Sequence, residues 1–132
     1  MNIRLVDGKG QHYEFCICKH NIDLSTGCPS GNNNGKFERN SSNRCDYCYG
    51  RLNNYFKFKP KNFNYNLIER DIEKRKAKII RIGKFADPGF KKVRSQLKNI
   101  LELCLKKNIR AIAITKLLEF DQEISELFKK TK

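Results

Sequence analysis

The chain has 132 residues, enough for one domain around one modest core. Its 28 lysines and arginines stand against 14 acidic residues, and the formal charge of +14 favours polyanionic partners, nucleic acid foremost. No apolar run approaches the ~20 residues a membrane-spanning helix needs, which excludes such a helix, and residues 1–7 lack the apolar stretch of a secretory leader.

Taken in order, residues 1–20 hold Ile3, Leu5 and Val6 and then Tyr13, Phe15 and Ile17, with Gly8-Lys9-Gly10 between them. These two alternations predict a short N-terminal β segment, a hairpin or two strands. Cys16 and Cys18 fall in the second alternation and would share one strand face. Asn21-Ile22-Asp23-Leu24 continues as a short strand leading into Thr26-Gly27-Cys28. Residues 29–44 are almost wholly Ser, Asn, Gly and charged, a loop inserted between cysteines. Residues 51–65 carry Tyr55, Phe56, Phe58, Phe63 and Tyr65 among lysines, either rings that cover the core or a platform for stacking bases.

From residue 66 the period changes. A helix is predicted over 66–78, with Leu67, Ile68, Ile72 and Ala77 on its less polar side. Ile79-Ile80-Arg81-Ile82-Gly83 reads as a buried strand, and Asp87-Pro88-Gly89 as the turn that follows. Val93, Leu97, Ile100, Leu101, Cys104 and Leu105 recur every three or four residues and define the clearest helix of the chain. Residues 109–115 form the next apolar strand, ended by Lys116, and Asp121 caps a last helix with Ile124, Leu127 and Phe128 turned inward. Continuous apolar strands alternating with amphipathic helices predict a parallel α/β sheet, in which ligands gather at the carboxyl ends of the strands. Cys28 with Cys45 and Cys48, the turn at 83–87, and Thr115-Lys116 all fall at such ends.

Without a leader the chain reads as cytoplasmic, where thiols stay reduced, so its six cysteines point to metal more than to disulfides. Cys45-Asp46-Tyr47-Cys48 has the spacing that lets two sulfurs grip one centre. Cys28 is the natural third ligand. Cys16 and Cys18 either bind a second metal or join Cys45 and Cys48 in a structural zinc quartet that leaves Cys28 free, with His12 and His20 able to substitute. Cys104 lies in the apolar helical stripe and reads as core.

Thr26-Gly27-Cys28 followed by Cys45-Asp46-Tyr47-Cys48-Tyr49-Gly50 resembles the cluster loop of radical S-adenosylmethionine (SAM) enzymes, closest to the spore photoproduct lyase-like branch. The resemblance runs on through Ile82-Gly83-Lys84-Phe85-Ala86-Asp87-Pro88, through the helix and strand of 97–114, and through Ile114-Thr115-Lys116, covering about residues 21–128. It implies a single domain over 1–132, an incomplete (βα) barrel of about three strand–helix units, roughly half of the family's partial barrel. It further implies a 4Fe–4S cluster on Cys28, Cys45 and Cys48, with SAM on the remaining iron. Tyr47 would pack near the adenine, Lys116 would meet the SAM carboxylate, and Asp87 and the Gly83 backbone would line the other side. An electron donor would then drive cleavage of SAM to methionine and a 5′-deoxyadenosyl radical, with nucleic acid as the implied substrate class. No catalytic residue beyond these is assigned.

Besides holding only about half of the family's strand–helix units, the sequence departs from the family pattern in two places. The family has three residues between its first two cysteines, a position held here by Ser41, whereas 29–44 separate Cys28 from Cys45. A longer loop adds little closure entropy, so the ligand set survives the insertion. Ala86 also stands where the turn often has a polar residue. Three classes of function follow: a radical SAM enzyme, a zinc-stabilised basic module that binds nucleic acid without catalysis, and a half-barrel completed by a second chain or by oligomerisation.

Overall fold

The computed structural model describes residues 1–8, 19–26, 58–83, 88–113, 115 and 121–131. They form a mixed α/β unit with a mostly parallel sheet and three helices. The strands are β1 (Val6–Asp7), β2 (His20–Ile22), β3 (Ser25–Thr26), β4 (Lys59–Pro60), β5 (Ile79–Ile82) and β6 (Arg110–Ala113). The helices are α1 (Tyr65–Arg75), α2 (Arg94–Lys106) and α3 (Gln122–Lys130).

The main sheet has the order β1-β2-β5-β6. β2, β5 and β6 run parallel, with Ile22 opposite Ile82 and Ile82 opposite Ala113, whereas β1 is an antiparallel edge strand. Of the predicted N-terminal β segment, the first strand is present as β1. Val6 and Asp7 pair with Asn21 and His20, while Tyr13, Phe15, Ile17, Cys16 and Cys18 lie outside the described residues. Ile3 and Leu5 leave the strand register and sink into the core instead.

α1 starts at Asn64, whose extended backbone lets its side-chain oxygen accept from the Leu67 N–H at 3.3 Å. It stops at Lys76, which turns left-handed at φ 50° and returns its N–H to Glu73 and Ile72. The predicted 66–78 helix thus ends three residues early. Ala77 is buried, but from the connection to β5 rather than from a helical stripe.

α2 follows a 3₁₀ turn, Lys91–Val93. It buries Leu97, Ile100, Leu101 and Cys104 as predicted, and Leu103 in addition. Its wider apolar face serves both the sheet and α3. The strand predicted over 109–115 is described over Arg110–Ala113, and the aromatics Phe58, Phe63 and Tyr65 pack against the core as covering rings. Asp121 caps α3 by accepting from the Ile124 N–H at 2.9 Å.

Strand alternation divides the main sheet into two faces. Ile22, Ile80, Ile82 and Ala111 share one of them and join a single apolar cluster with Ile68 and Ile72 of α1, Leu97 and Leu101 of α2, and Ile124 of α3. Asn21, Arg81 and Ile112 form a row across the other face.

Candidate functional site

The parallel strands end level with one another. The Gly83 N–H donates to the Ile22 carbonyl at 2.8 Å, so the chain beyond β5 starts beside the chain beyond β2. Thr26 leads towards Cys28 from β3, just past the end of β2, and Thr115 leads to Lys116 from the end of β6. The three stretches singled out in the sequence thus depart from one carboxyl edge. Cys28, Cys45, Cys48, Tyr47, Asp87 and Lys116 themselves lie outside the described residues, as do His12, Tyr55, Phe56 and the 29–44 loop.

Residues 27–57 begin after Thr26 and end before Phe58, and the β3–β4 pair sets Thr26 opposite Lys59 and Ser25 opposite Pro60. The Lys61 N–H also donates to the Leu24 carbonyl at 2.9 Å, and the Asn62 N–H to the Met1 carbonyl at 2.8 Å. Both ends of the cysteine-bearing excursion are consequently tied together beside the carboxyl end of β2. Main-chain pairing thus closes the outer 26–59 loop, which leaves a bound centre to close only the shorter stretches between the cysteines.

Gly83 has φ 96°, a region hostile to a Cβ, and its bare backbone stands at the head of the predicted turn. Gly83→Ala is expected to cost about 1–2 kcal/mol of folding free energy, read by urea denaturation. An unchanged midpoint would show that the left-handed backbone is not needed. After the turn, Pro88 and Gly89 are buried, and with Phe90, Lys91, Arg94, Leu97, Asp121 and Ile124 they line a cavity of about 240 Å³. That is below the ~300 Å³ at which small-molecule pockets begin, too little for a nucleoside cofactor.

Beside the cavity Arg94 and Lys98 are matched by acidic partners, while the lining Lys91 is exposed without an ion pair among the described residues. Arg94 pairs with Asp121 and, at 2.7 Å, with Glu123, and Lys98 reaches Glu123 at 2.8 Å. Arg94 holds the Asp121 carboxyl below the usual range, and Lys98 together with Arg94 does so for Glu123. Arg94 and Lys98 are held protonated in return.

Arg81 was not legible as a site residue, because Ile-Ile-Arg-Ile reads as one buried strand. Alternation turns it to the face opposite the helices, where its Nε is buried and has no hydrogen-bond partner among the described residues. The signal in the sequence was the single charge inside a β-branched run. His20, weighed as a metal ligand, is buried in β2 with Nδ1 at 3.3 Å from Asp7 Oδ1, and Asp7 also accepts from Arg75 Nε at 2.8 Å. This histidine therefore serves the β1–β2–α1 junction. Cys104 is core as predicted, and burial pushes its thiol up to about 12, so it stays protonated. Among the described residues no group of three or more His, Cys, Asp and Glu is arranged to hold a metal, and no helix is long and apolar enough to cross a membrane.

No family model matches the chain, and comparison with curated proteins and with solved structures returns no match.

Proposed function

We propose that the chain is an iron–sulfur protein of radical SAM type, built as an incomplete (βα) barrel, with Cys28, Cys45 and Cys48 as the ligands of a 4Fe–4S cluster. The observation that carries this reading is that the Gly83 turn and the Thr115-Lys116 stretch leave the carboxyl edge of adjacent parallel strands, while the cysteine excursion leaves β3 just past the carboxyl end of β2. The barrel reading is supported by β2, β5 and β6 lying side by side in chain order, with all three helices in one cluster on one face.

The donor set suits the group. Three thiolates are soft ligands of the kind iron–sulfur clusters take, and a set of three leaves one iron for a further ligand. When bound, the cluster with SAM supplies one-electron cleavage of a sulfonium carbon–sulfur bond. The remaining work belongs to the chain. Lys116, after β6, offers an ammonium to a carboxylate, a charge-assisted contact. Tyr47, between two ligands, offers a ring face to a purine. Gly83, lacking a Cβ, lets a ligand approach the strand end closely.

Anaerobic purification with metal and sulfide analysis tests the proposal. A brown protein holding iron and acid-labile sulfide in cluster proportion is expected, with loss of both in Cys28→Ala and retention in Cys16→Ala. A colourless protein containing zinc, lost in Cys16→Ala, would replace this reading with the zinc-stabilised module. Under reducing conditions the loaded protein is expected to convert SAM to methionine and 5′-deoxyadenosine. A stable cluster without cleavage would instead favour a half-barrel that needs a second chain.

A further inference from the structure

Positive charge is unevenly distributed over the described residues. Helices that link parallel strands run back against them, so helix ends and strand beginnings meet at the amino edge of the sheet. Lys74, Lys76 and Lys78 are exposed where α1 gives way to β5. Lys106 closes α2 and Arg110 opens β6, both exposed, and the Arg110 N–H donates to the Lys78 carbonyl at 3.0 Å. Lys129 and Lys130 close α3, whose next residue, Thr131, accepts from the Ala111 N–H through its hydroxyl at 3.3 Å. The three basic ends are therefore contiguous.

Acidic groups do not neutralise this edge. Of those at the nearby ends of α1 and β1, Asp7 is bound to Arg75 at 2.8 Å, while Glu69 and Glu73 are both bound to Lys107, at 3.1 and 3.4 Å. Lys106 Nζ lies 5.1 Å from the Tyr65 ring centroid, and among the described residues the other six exposed cations have no ion pair. At the start of α2, by contrast, Arg94 and Lys98 are matched by Asp121 and Glu123, while Lys91 and Lys92 are exposed there without an ion pair among the described residues. Complementing helix dipoles explains cations at helix ends, but Lys78 and Arg110 stand at strand beginnings, where no such dipole acts.

We propose that the amino edge of the sheet, opposite its carboxyl edge, is a docking surface for the phosphate backbone of nucleic acid. A row of exposed cations without acidic partners suits a repeating polyanion, because each contact releases counterions from the nucleic acid. An anionic membrane is the less suitable partner. Interfacial binding also draws on apolar anchors, and the large apolar side chains exposed among the described residues are Met1 and Val6, neither of them at this edge. The inference goes beyond the cofactor proposal and does not depend on cluster content.

The test is fluorescence anisotropy of a labelled mixed-sequence DNA duplex of about 20 base pairs, titrated with the protein as purified over a series of salt concentrations. The double variant Lys78→Glu/Arg110→Glu is compared with Lys59→Glu/Lys91→Glu, which makes the same change in net charge away from the edge. The amino-edge variant is expected to bind about tenfold or more weakly, with a salt slope reduced by about 2, while the control stays within about threefold. Circular dichroism verifies that both variants are folded. Equal losses in the two variants would overturn the proposal, since binding would then follow net charge alone. So would an absence of salt-dependent duplex binding by the unaltered protein, including the case in which it binds phosphatidylserine vesicles instead.

Discussion

Asp71→Ala is expected to destabilise the fold by about 2–4 kcal/mol, a large share of the ~5–15 kcal/mol typical of a small domain. Asp71 is buried in α1, where one carboxylate accepts from Arg4 Nε at 2.8 Å, Arg4 Nη2 at 2.9 Å and the Leu5 N–H at 3.1 Å. The Arg4 guanidinium is more than half exposed and recovers water when its partner goes, so the loss is dominated by the Leu5 N–H left buried without an acceptor. The same carboxylate ties residues 4–5 to α1, and with them the stretch that pairs onto residue 62 next to the β3–β4 clasp.

The pH dependence follows from the same contacts. Arg4 is the main reason the Asp71 carboxyl titrates below its ordinary value, with the Leu5 N–H adding to it. A carboxyl whose folded pKa is depressed contributes stability above its unfolded pKa near ~3.9, and that contribution is lost as pH falls through the lower folded value. Urea denaturation at pH 7 and near pH 3 should therefore show a smaller acid-induced loss in Asp71→Asn than in the unaltered protein. Equal losses would remove Asp71 from the account.

Leu101→Ala carries the other large effect, about 3 kcal/mol within the ~2–5 kcal/mol range for burying alanine where leucine stood. Leu101 is wholly inaccessible, in the middle of α2 within the cluster that joins all three helices to the sheet. The urea midpoint should fall with the slope unchanged, because the surface exposed on unfolding barely differs. A loss below about 1 kcal/mol would contradict the packing of α2 against β5 and β6. Since that packing holds the carboxyl edge level, the variant is also expected to retain less iron in the purification described above.

The regular part of the fold was legible because its signals are local. The three- and four-residue recurrence of Leu97, Ile100, Leu101 and Cys104 defines a helix wherever it occurs, and the side chain of Asp121 sets the start of α3. The end of α1 was less legible. Ala77 continues the apolar pattern, while the turn out of the helix depends on Lys76 adopting a left-handed backbone that no residue type announces. The N-terminal strand was legible but its partner was not, since an alternation identifies a strand and not what it pairs with, and Val6 and Asp7 pair with β2.

The amino-acid sequence by itself determined the periods, the caps, the total charge and the soft-ligand chemistry of the cysteines, all properties of residue type and near-neighbour spacing. Only the tertiary structure decided that the cysteine-bearing excursion is clasped at both ends, that Arg81 faces away from the helices, and that Arg94 and Lys98 are neutralised while a row of cations at the amino edge is left without ion pairs among the described residues. The physical reason is common to all three. Strand pairing and ion pairing join residues distant along the chain, and their partners are chosen by which surfaces the helices bury together.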